Sequence, residues 1–492
     1  MRKIGVLVLL LALAFGARGQ GPYIVADFVE NDLPTLLDIC HQGGFETLVV
    51  KTPFSTYGHY RWNEAFAPEG DRSVRRMVAS AAAEGVTLGL LVQEDAITLN
   101  DAFFAPKYFK EYQHSEPMVL FDEMSAEDVD IALRRNDLFK VLTSLNLLLI
   151  DDEVVSFGTM ELTDDVVLLH RCIRGMYGTK RTAHAIDANV FRIWDRPDPF
   201  VIPEGELRQS VHQQLNARLE AGNVTLMLPK GDPGQEMLEG SVRVRQVERW
   251  EKEGVANNTL GWFMIHAADR KRAATSMEEL EWMLSKAAAF DASYGMLIDL
   301  QPAPGMLPEM LSTIRQWNRL SKSRAFTAYH KEVMSDPYLD WHLEQGPDSV
   351  FMLHPMNFSR RYPCAFQVAD TGLLQSETWH WNADEEKDFG LRIQVDGEVA
   401  ISNPMVNTSK GLVMFPCTIS PGQRLLYDFG ETANVVDANG NLLETVPMEG
   451  FPQLAQGENE ASFLCEVDPT AEQMPLVWLR YITREAAFVI YP

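Results

Sequence analysis

The chain has 492 residues, a formal net charge of −26, 46% hydrophobic residues and 10% aromatic residues. That length and apolar content are enough for two or three packed domains and exclude a disordered chain. With no basic run, the acidic balance argues against nucleic acid or an anionic membrane surface as a partner, since both need clustered cations. It also makes a sulfated or uronate-rich polymer a less obvious ligand, unless a local basic groove intervenes.

The first nineteen residues, MRKIGVLVLLLALAFGARG, carry Arg2 and Lys3, an apolar core from Ile4 to Phe15, and small residues at Ala17 and Gly19. This order predicts a secretory signal over 1–19, short for a bilayer anchor, with cleavage before Gln20 and a mature protein that is secreted or periplasmic. No membrane insertion is expected. Five cysteines, Cys40, Cys172, Cys364, Cys417 and Cys465, are too few and scattered for a disulfide scaffold. Cys417 with Cys465 is one pairing open to them, and buried free thiols are the better reading for most. No CxxC, HExxH or zinc-ribbon spacing occurs, so neither a metal nor a cofactor is expected.

Three apolar runs follow: YIVADF ending at Asp27, TLVVKTPF carrying Lys51, and VTLGLLVQED ending at Glu94 and Asp95. Apolar on both faces and separated by helical stretches, they read as buried parallel strands. Residues 20–105 are therefore assigned to the first part of a TIM-type (β/α) barrel, an α/β fold that gathers its functional groups at the C-terminal strand ends. Over 106–199 short runs alternate with turns, which predicts a small inserted β-rich module. Within it RGMYGTKRTAH, Arg174 to His184, resembles the RGxxGT and trailing His of small β modules in phage tail proteins and in some secreted barrel proteins of polysaccharide-degrading bacteria. Turn architecture alone accounts for its glycines.

The strand and helix rhythm resumes over 200–346 with the strands NVTLMLPKGD, LGWFMIHAAD and SYGMLIDL and helices between them. In SMEELEWMLSKAAAFDA the spacing of Met277, Leu280, Met283, Leu284, Ala287 and Ala288 predicts one buried helix face. Six strands are legible. The barrel is either incomplete or hides its last strands near Ser349 to Leu353. From 347 to 492 short alternating runs predict a C-terminal β-sandwich, with Asn439-Gly440 of DANGN at a hairpin tip that requires positive φ. Trp379 and Trp381 share a strand face, for sugar stacking or, more commonly, for packing against the barrel.

Cleaving a glycosidic bond usually takes two carboxyl groups. The strand ends supply Asp27, Glu94, Asp95, Asp232, Asp269 and Asp299. An isolated Asp is more often a loop or cap residue, so the argument rests on their recurrence. The segment VTLMLPKGD resembles the fourth strand of retaining α-galactosidase-like hydrolases, which ends in Lys-x-Asp. Those enzymes also place an Asp at the end of the sixth strand and follow the barrel with a β-sandwich. The resemblance implies Asp232 as nucleophile, Lys230 as its charged neighbour and Asp299 as acid/base. Pro229, the single Asp27 after the first strand and the large insertion depart from that pattern.

The loop KTPFSTYGHYRWN places Lys51, Tyr57, His59, Tyr60 and Trp62 after the second strand, residue types suited to a sugar subsite. His266 reads as a satisfied core histidine. The expected function is a secreted glycoside hydrolase acting on a glycan, of the retaining α-glycosidase kind, with Asp27, Lys51, Tyr57, His59, Trp62, Glu94, Lys230 and Asp269 lining its site. Two alternatives stand beside it: a non-catalytic glycan-binding protein with a degenerate barrel site, and a polysaccharide lyase using Lys51, Tyr57 or His59 as base. Oligomeric state is left open.

Overall fold

The computed structural model describes residues 21–98, 101, 103, 116–135, 146–193, 200–202, 205–231, 235–238, 243–270, 272–298, 303–368 and 373–492. They divide into two compact units. One holds Asp27–Leu33 and Val49–Gly231, and the other Met1–Ala26, Pro34–Leu48 and Asp232–Pro492. The expected signal segment and the two aspartates with implied catalytic roles, Asp232 and Asp299, lie outside the described residues.

All six apolar runs form strands: Tyr23–Ala26, Thr47–Val50, Thr87–Val92, Leu226–Pro229, Thr259–Ile265 and Ser293–Ile298. The helices are α1 (Leu33–Gly43), α2 (Asp71–Ala83), α3 (Glu206–Gly222), α4 (Arg243–Glu253), α5 (Met277–Ala289), α6 (Leu307–Lys322) and α7 (Ala328–Ser335). In the larger unit the sixth strand pairs in parallel with the first and the fifth, Leu297 facing both Val25 and Met264. Every residue of the first and sixth strands is buried, which is why they read as unbroken apolar runs. Gly295 allows the close approach: a Cβ there would meet the Trp262 indole at 2.4 Å, and Trp262 Nε1 donates to the Tyr23 hydroxyl at 3.1 Å. In the other unit the fourth strand pairs in parallel with the third, Leu228 facing Leu91.

Beyond an isolated bridge between Met237 and Trp262, the described residues contain no seventh or eighth parallel strand. The stretch expected to hide one belongs instead to the strand Phe351–Phe358, which runs antiparallel to Asp340–Gln345 with Leu353 facing Leu343. The architecture is thus α/β with an antiparallel β-rich C-terminal region, and a closed eight-stranded barrel is not seen among the described residues.

Helix α5 also departs from expectation. Ser276 and Glu279 form a reciprocal cap at its start, each accepting from the other's backbone N–H. From Leu280 to Ala288 every residue is buried, Glu281, Ser285 and Lys286 included, because α6, α7 and the strand Asp340–Gln345 all pack on it. Lys286 Nζ donates to the carbonyls of Met334 and Asp336, each at 2.6 Å, and burial pushes its ammonium down to about 7 from 10.5. The folded state then sheds a proton that the unfolded chain keeps between those values, so this residue's contribution to stability rises with pH across the window. Urea midpoints of the wild type, taken relative to Lys286→Met, should climb between pH 7 and 10; a flat difference would show that the ammonium is not desolvated.

Between the third strand and α3, the described residues contain only antiparallel strands and no α-helix. Ile131–Arg134, Thr159–Leu162 and Val166–His170 form one sheet, and Met118–Val119, Leu147–Ile150, Glu153–Ser156 and Asn189–Arg192 another. They close on a core of their own that includes Leu133, Leu148, Val155 and Leu169. The RGMYGT glycines do make turns, with φ of 62° at Gly175 and 77° at Gly178. The motif's Arg and His, however, bind a buried charge. Arg174 Nε and Nη2 each donate to a Glu153 carboxylate oxygen at 2.7 Å, and His184 Nε2 lies 2.9 Å from Glu153 Oε2. The backbone N–H groups of Gly175 and Thr182 donate to the same carboxylate. Burial alone would raise Glu153, but these hydrogen bonds hold it down at about 2.

The C-terminal region is two antiparallel sheets around one core, to which Phe389, Leu391 and Ile393 contribute from one sheet and Val406 and Phe463 from the other. The DANGN hairpin is present between Thr432–Val436 and Leu442–Pro447, with Gly440 alone of the pair at positive φ, 82°. Its Asp437 accepts from the N–H groups of Asn439 and Asn441. Trp379 and Trp381 face the sandwich core: Trp381 lies 4.4 Å from the Tyr481 ring and Trp379 lies 5.5 Å from Tyr362, ring centre to ring centre. Their ring partners among the described residues are those of the sandwich core. All five cysteines are buried and free, so Cys417 and Cys465 are not bonded.

Candidate functional site

The smaller unit gathers polar groups at the C-terminal ends of its strands. After the second strand the chain doubles back on itself, Phe54 bridging Trp62 and Ser55 N–H donating to the Arg61 carbonyl at 2.9 Å. The tip is held by Asp101, whose side chain is 2% exposed. It accepts from the His59 N–H at 2.8 Å and binds His59 Nδ1 at 2.7 Å. Gly58 is required there: its φ is 110°, and a Cβ would strike the Asp101 carboxylate at 2.6 Å. Phe103 stacks on the His59 ring at 4.0 Å, so the imidazole is fixed on two sides.

Tyr60 ties this loop to the third strand's end, its hydroxyl donating to the carbonyls of Gln93 and Glu94 at 3.0 and 2.9 Å. Tyr57 lies beside it with ring centres 6.1 Å apart. Burial and then the Asp27 charge push the Tyr57 hydroxyl upward, and Lys230 Nζ sits 5.9 Å from the centre of its ring. Asp27 is exposed and accepts from Thr52 Oγ1 at 2.5 Å. Glu94 is half-buried, and burial raises its carboxyl above the usual 4.5, with the Asp95 charge adding to the rise against His212 and Arg208. Asp95 itself is occupied: Arg208 Nε donates to it at 2.6 Å and His212 Nε2 lies 2.7 Å away.

Two carboxyls with different surroundings thus border the Tyr57 and Tyr60 loop, Asp27 in the open and Glu94 half out of water. Carboxyls in unlike surroundings can divide the labour of acid/base chemistry. Lys51 is exposed beside the loop, and His59 is held by Asp101. Three expected lining residues are placed otherwise, and Tyr57 is one, at 6% exposed. Trp62 is 7% exposed, stacks on Phe54 and donates its Nε1 to Asp71 at 2.6 Å, so it offers no face to a sugar. Asp269, in the other unit, closes a local turn by accepting from the Arg272 N–H and Nε at 3.1 and 2.9 Å. His266 bonds the Ala267 carbonyl through Nδ1, as a satisfied histidine does.

The sequence reading missed Asp101, Arg208 and His212. The last two were legible in part, because four residues apart on a helix they share a face. Asp101 had no such signal. Among the described residues no group of three or more His, Cys, Asp or Glu is placed to hold a metal ion.

No protein-family model matches the chain, and no curated protein matches it. Solved structures align with it loosely. The α-amylase of Geobacillus thermoleovorans in complex with acarbose has 8% identity over 91% of this chain and 98% of its own, with a TM-score of 0.34. The maltogenic α-amylase AmyB of Thermotoga neapolitana has 10% identity over 87% and 98%, with a TM-score of 0.34. The α-galactosidase of Lactobacillus brevis has 10% identity over 93% and 56%, with a TM-score of 0.31. These neighbours are glycoside hydrolases, and at such TM-scores the likeness carries no argument about this chain's fold or activity.

Proposed function

We propose that the protein is an exported glycoside hydrolase whose working groups include the strand-end carboxyls of the smaller unit, with Glu94 as proton donor and Asp27 as its partner carboxyl. The observation that carries this reading is the contrast between them: one is half-buried with a raised pKa, the other is exposed and hydrogen-bonded by Thr52. Lys230 and the fixed His59 supply donors that a sugar ring requires, while Tyr57, only 6% exposed, is packed as Trp62 is. The roles implied for Asp232 and Asp299 stand on sequence resemblance and belong to the same proposal as rivals for nucleophile and acid/base.

Screening the full mature chain against a glycan panel, with reducing-end detection beside ultraviolet detection of unsaturated products, tests the reaction class. New reducing ends without unsaturation are expected. Unsaturated products would assign a lyase, and binding without product a glycan-binding protein; the second reading has support in Asp95, which Arg208 and His212 hold in a closed ion network. Export is part of the proposal. N-terminal sequencing of the exported fraction should begin near Gln20, and intact Met1 there would contradict it.

A further inference from the structure

In the larger unit a cavity of about 1220 Å³ lies between the start of α5 and the outer face of the ten-stranded sheet. Leu391, Ile393 and Val395 point into the sandwich core, so the alternate residues of that strand face the cavity side. Strand register sets them in two rows. Gln394 faces both Arg424 and Trp478 across the neighbouring strands, and Arg392 faces Leu426 and Arg480. Arg361 joins them, over the Trp478 ring at 5.3 Å. A chain of net charge −26 has gathered guanidinium groups on one wall.

The carboxylates around this cavity are largely engaged. Arg392 takes Glu278 at 2.8 Å and Asp428 at 2.6 Å, Arg243 takes Asp340 at 2.8 Å, and Glu281 binds His342 at 2.8 Å. Arg361, Arg424 and Arg480 make no ion pair with a carboxylate among the described residues, although the charges of Glu278 and Asp437 favour the Arg424 cation and those of Glu278 and Asp340 the Arg480 cation. Arg361 donates to Gln394 Oε1 at 2.7 Å and Arg480 Nε to the Ser359 carbonyl at 2.9 Å. Arg424 Nε is buried with no acceptor among the described residues. Such an orphan costs stability unless something outside the chain completes it. Burial disfavours the cation at both Arg424 and Arg480, a cost that an incoming anion would relieve.

We propose that this cavity binds an acidic saccharide unit, a carboxylate or sulfate group meeting Arg424 and Arg480, with Gln394 and Arg361 beside it. The anion part stands on the cavity alone, and the saccharide part rests on the glycan reading above. Guanidinium forks match both oxyanions through paired N–H donors.

The test is titration of the full mature chain by calorimetry with D-glucuronate, D-galactose 6-sulfate, inorganic sulfate and neutral D-galactose. At least one acidic sugar should bind, D-galactose should not, and Arg424→Met and Arg480→Met should each weaken binding roughly tenfold or more. Arg134→Met, at an exposed pair on the inserted module, should change nothing. Without ligand, Arg424→Met should melt at or above the wild-type temperature, since it removes an unpaired buried donor. Equal binding of D-galactose, no binding of any anion, or unchanged affinity in Arg424→Met would overturn the proposal, as would a lowered melting temperature of that variant without ligand. Inorganic sulfate binding as well as the sugars would overturn the saccharide assignment, while leaving the hydrolase reading to its own assay.

Discussion

Glu94→Gln is expected to cut turnover on an unactivated glycan by about a hundredfold or more, and to leave an aryl glycoside with a good leaving group within roughly tenfold of wild type. A proton donor matters only where the leaving oxygen needs the proton, so the two substrates separate acid catalysis from damage to the fold. The half-buried Glu94 carboxyl keeps its proton above the usual 4.5 because burial penalises the charged form. Activity should therefore fall on the alkaline side as Glu94 ionises, and the glutamine variant should lose that limb of the profile. Equal loss on both substrates would show that Glu94 binds or positions and does not donate a proton.

The second large effect is on stability. Arg174→Met leaves the Glu153 carboxylate buried without its bidentate partner, both side chains being 0% exposed in the native pair. Breaking a buried pair from one side costs about 3–5 kcal/mol. Chemical denaturation, followed together with proteolysis of the antiparallel region around Glu153, should show a loss of that size. Arg134→Met, whose exposed pair with Asp187 is worth little, should stay within about 0.5 kcal/mol. The same network sets an acid limit. Glu153 is held at about 2 against 4.5 unfolded, so its contribution is fully present above 4.5 and is lost as pH falls from 4.5 toward 2. By linkage that amounts to about 3 kcal/mol. An Arg174→Met variant as stable as wild type would mean that the network is not what holds the module together.

Strands buried on both faces were the most legible part of the sequence, because their apolar runs need no knowledge of partners. Tyr23–Ala26 and Ser293–Ile298 are of this kind. What the sequence could not show was contact across long separations. The Arg174 and His184 motif reads locally as turns, yet its purpose lies with Glu153, 21 and 31 residues upstream. Trp62 and Trp379 carry the composition of a sugar platform, but whether an indole faces solvent or core depends on neighbours such as Phe54 and Tyr362. Helix α5 showed one apolar stripe, and its burial on every side follows from α6, α7 and the strand after them closing over Glu281 and Lys286. The strand-end carboxyls were visible as a recurrence. Glu94 is raised by burial, Asp27 is open and hydrogen-bonded by Thr52, and Asp95 is locked by Arg208 and His212.

The most direct measurement is hydrolysis of the best-cleaved glycan by the wild type beside Asp27→Asn, Glu94→Gln, Asp232→Asn and Asp299→Asn, each checked for an unchanged melting temperature. The account predicts reducing-end release by the wild type, losses of about a hundredfold or more in Asp27→Asn and Glu94→Gln, and the same size of loss in Asp232→Asn or Asp299→Asn if the resemblance holds at those positions. Near wild-type release by both Asp27→Asn and Glu94→Gln, or no release by the wild type on any glycan it binds, would contradict it.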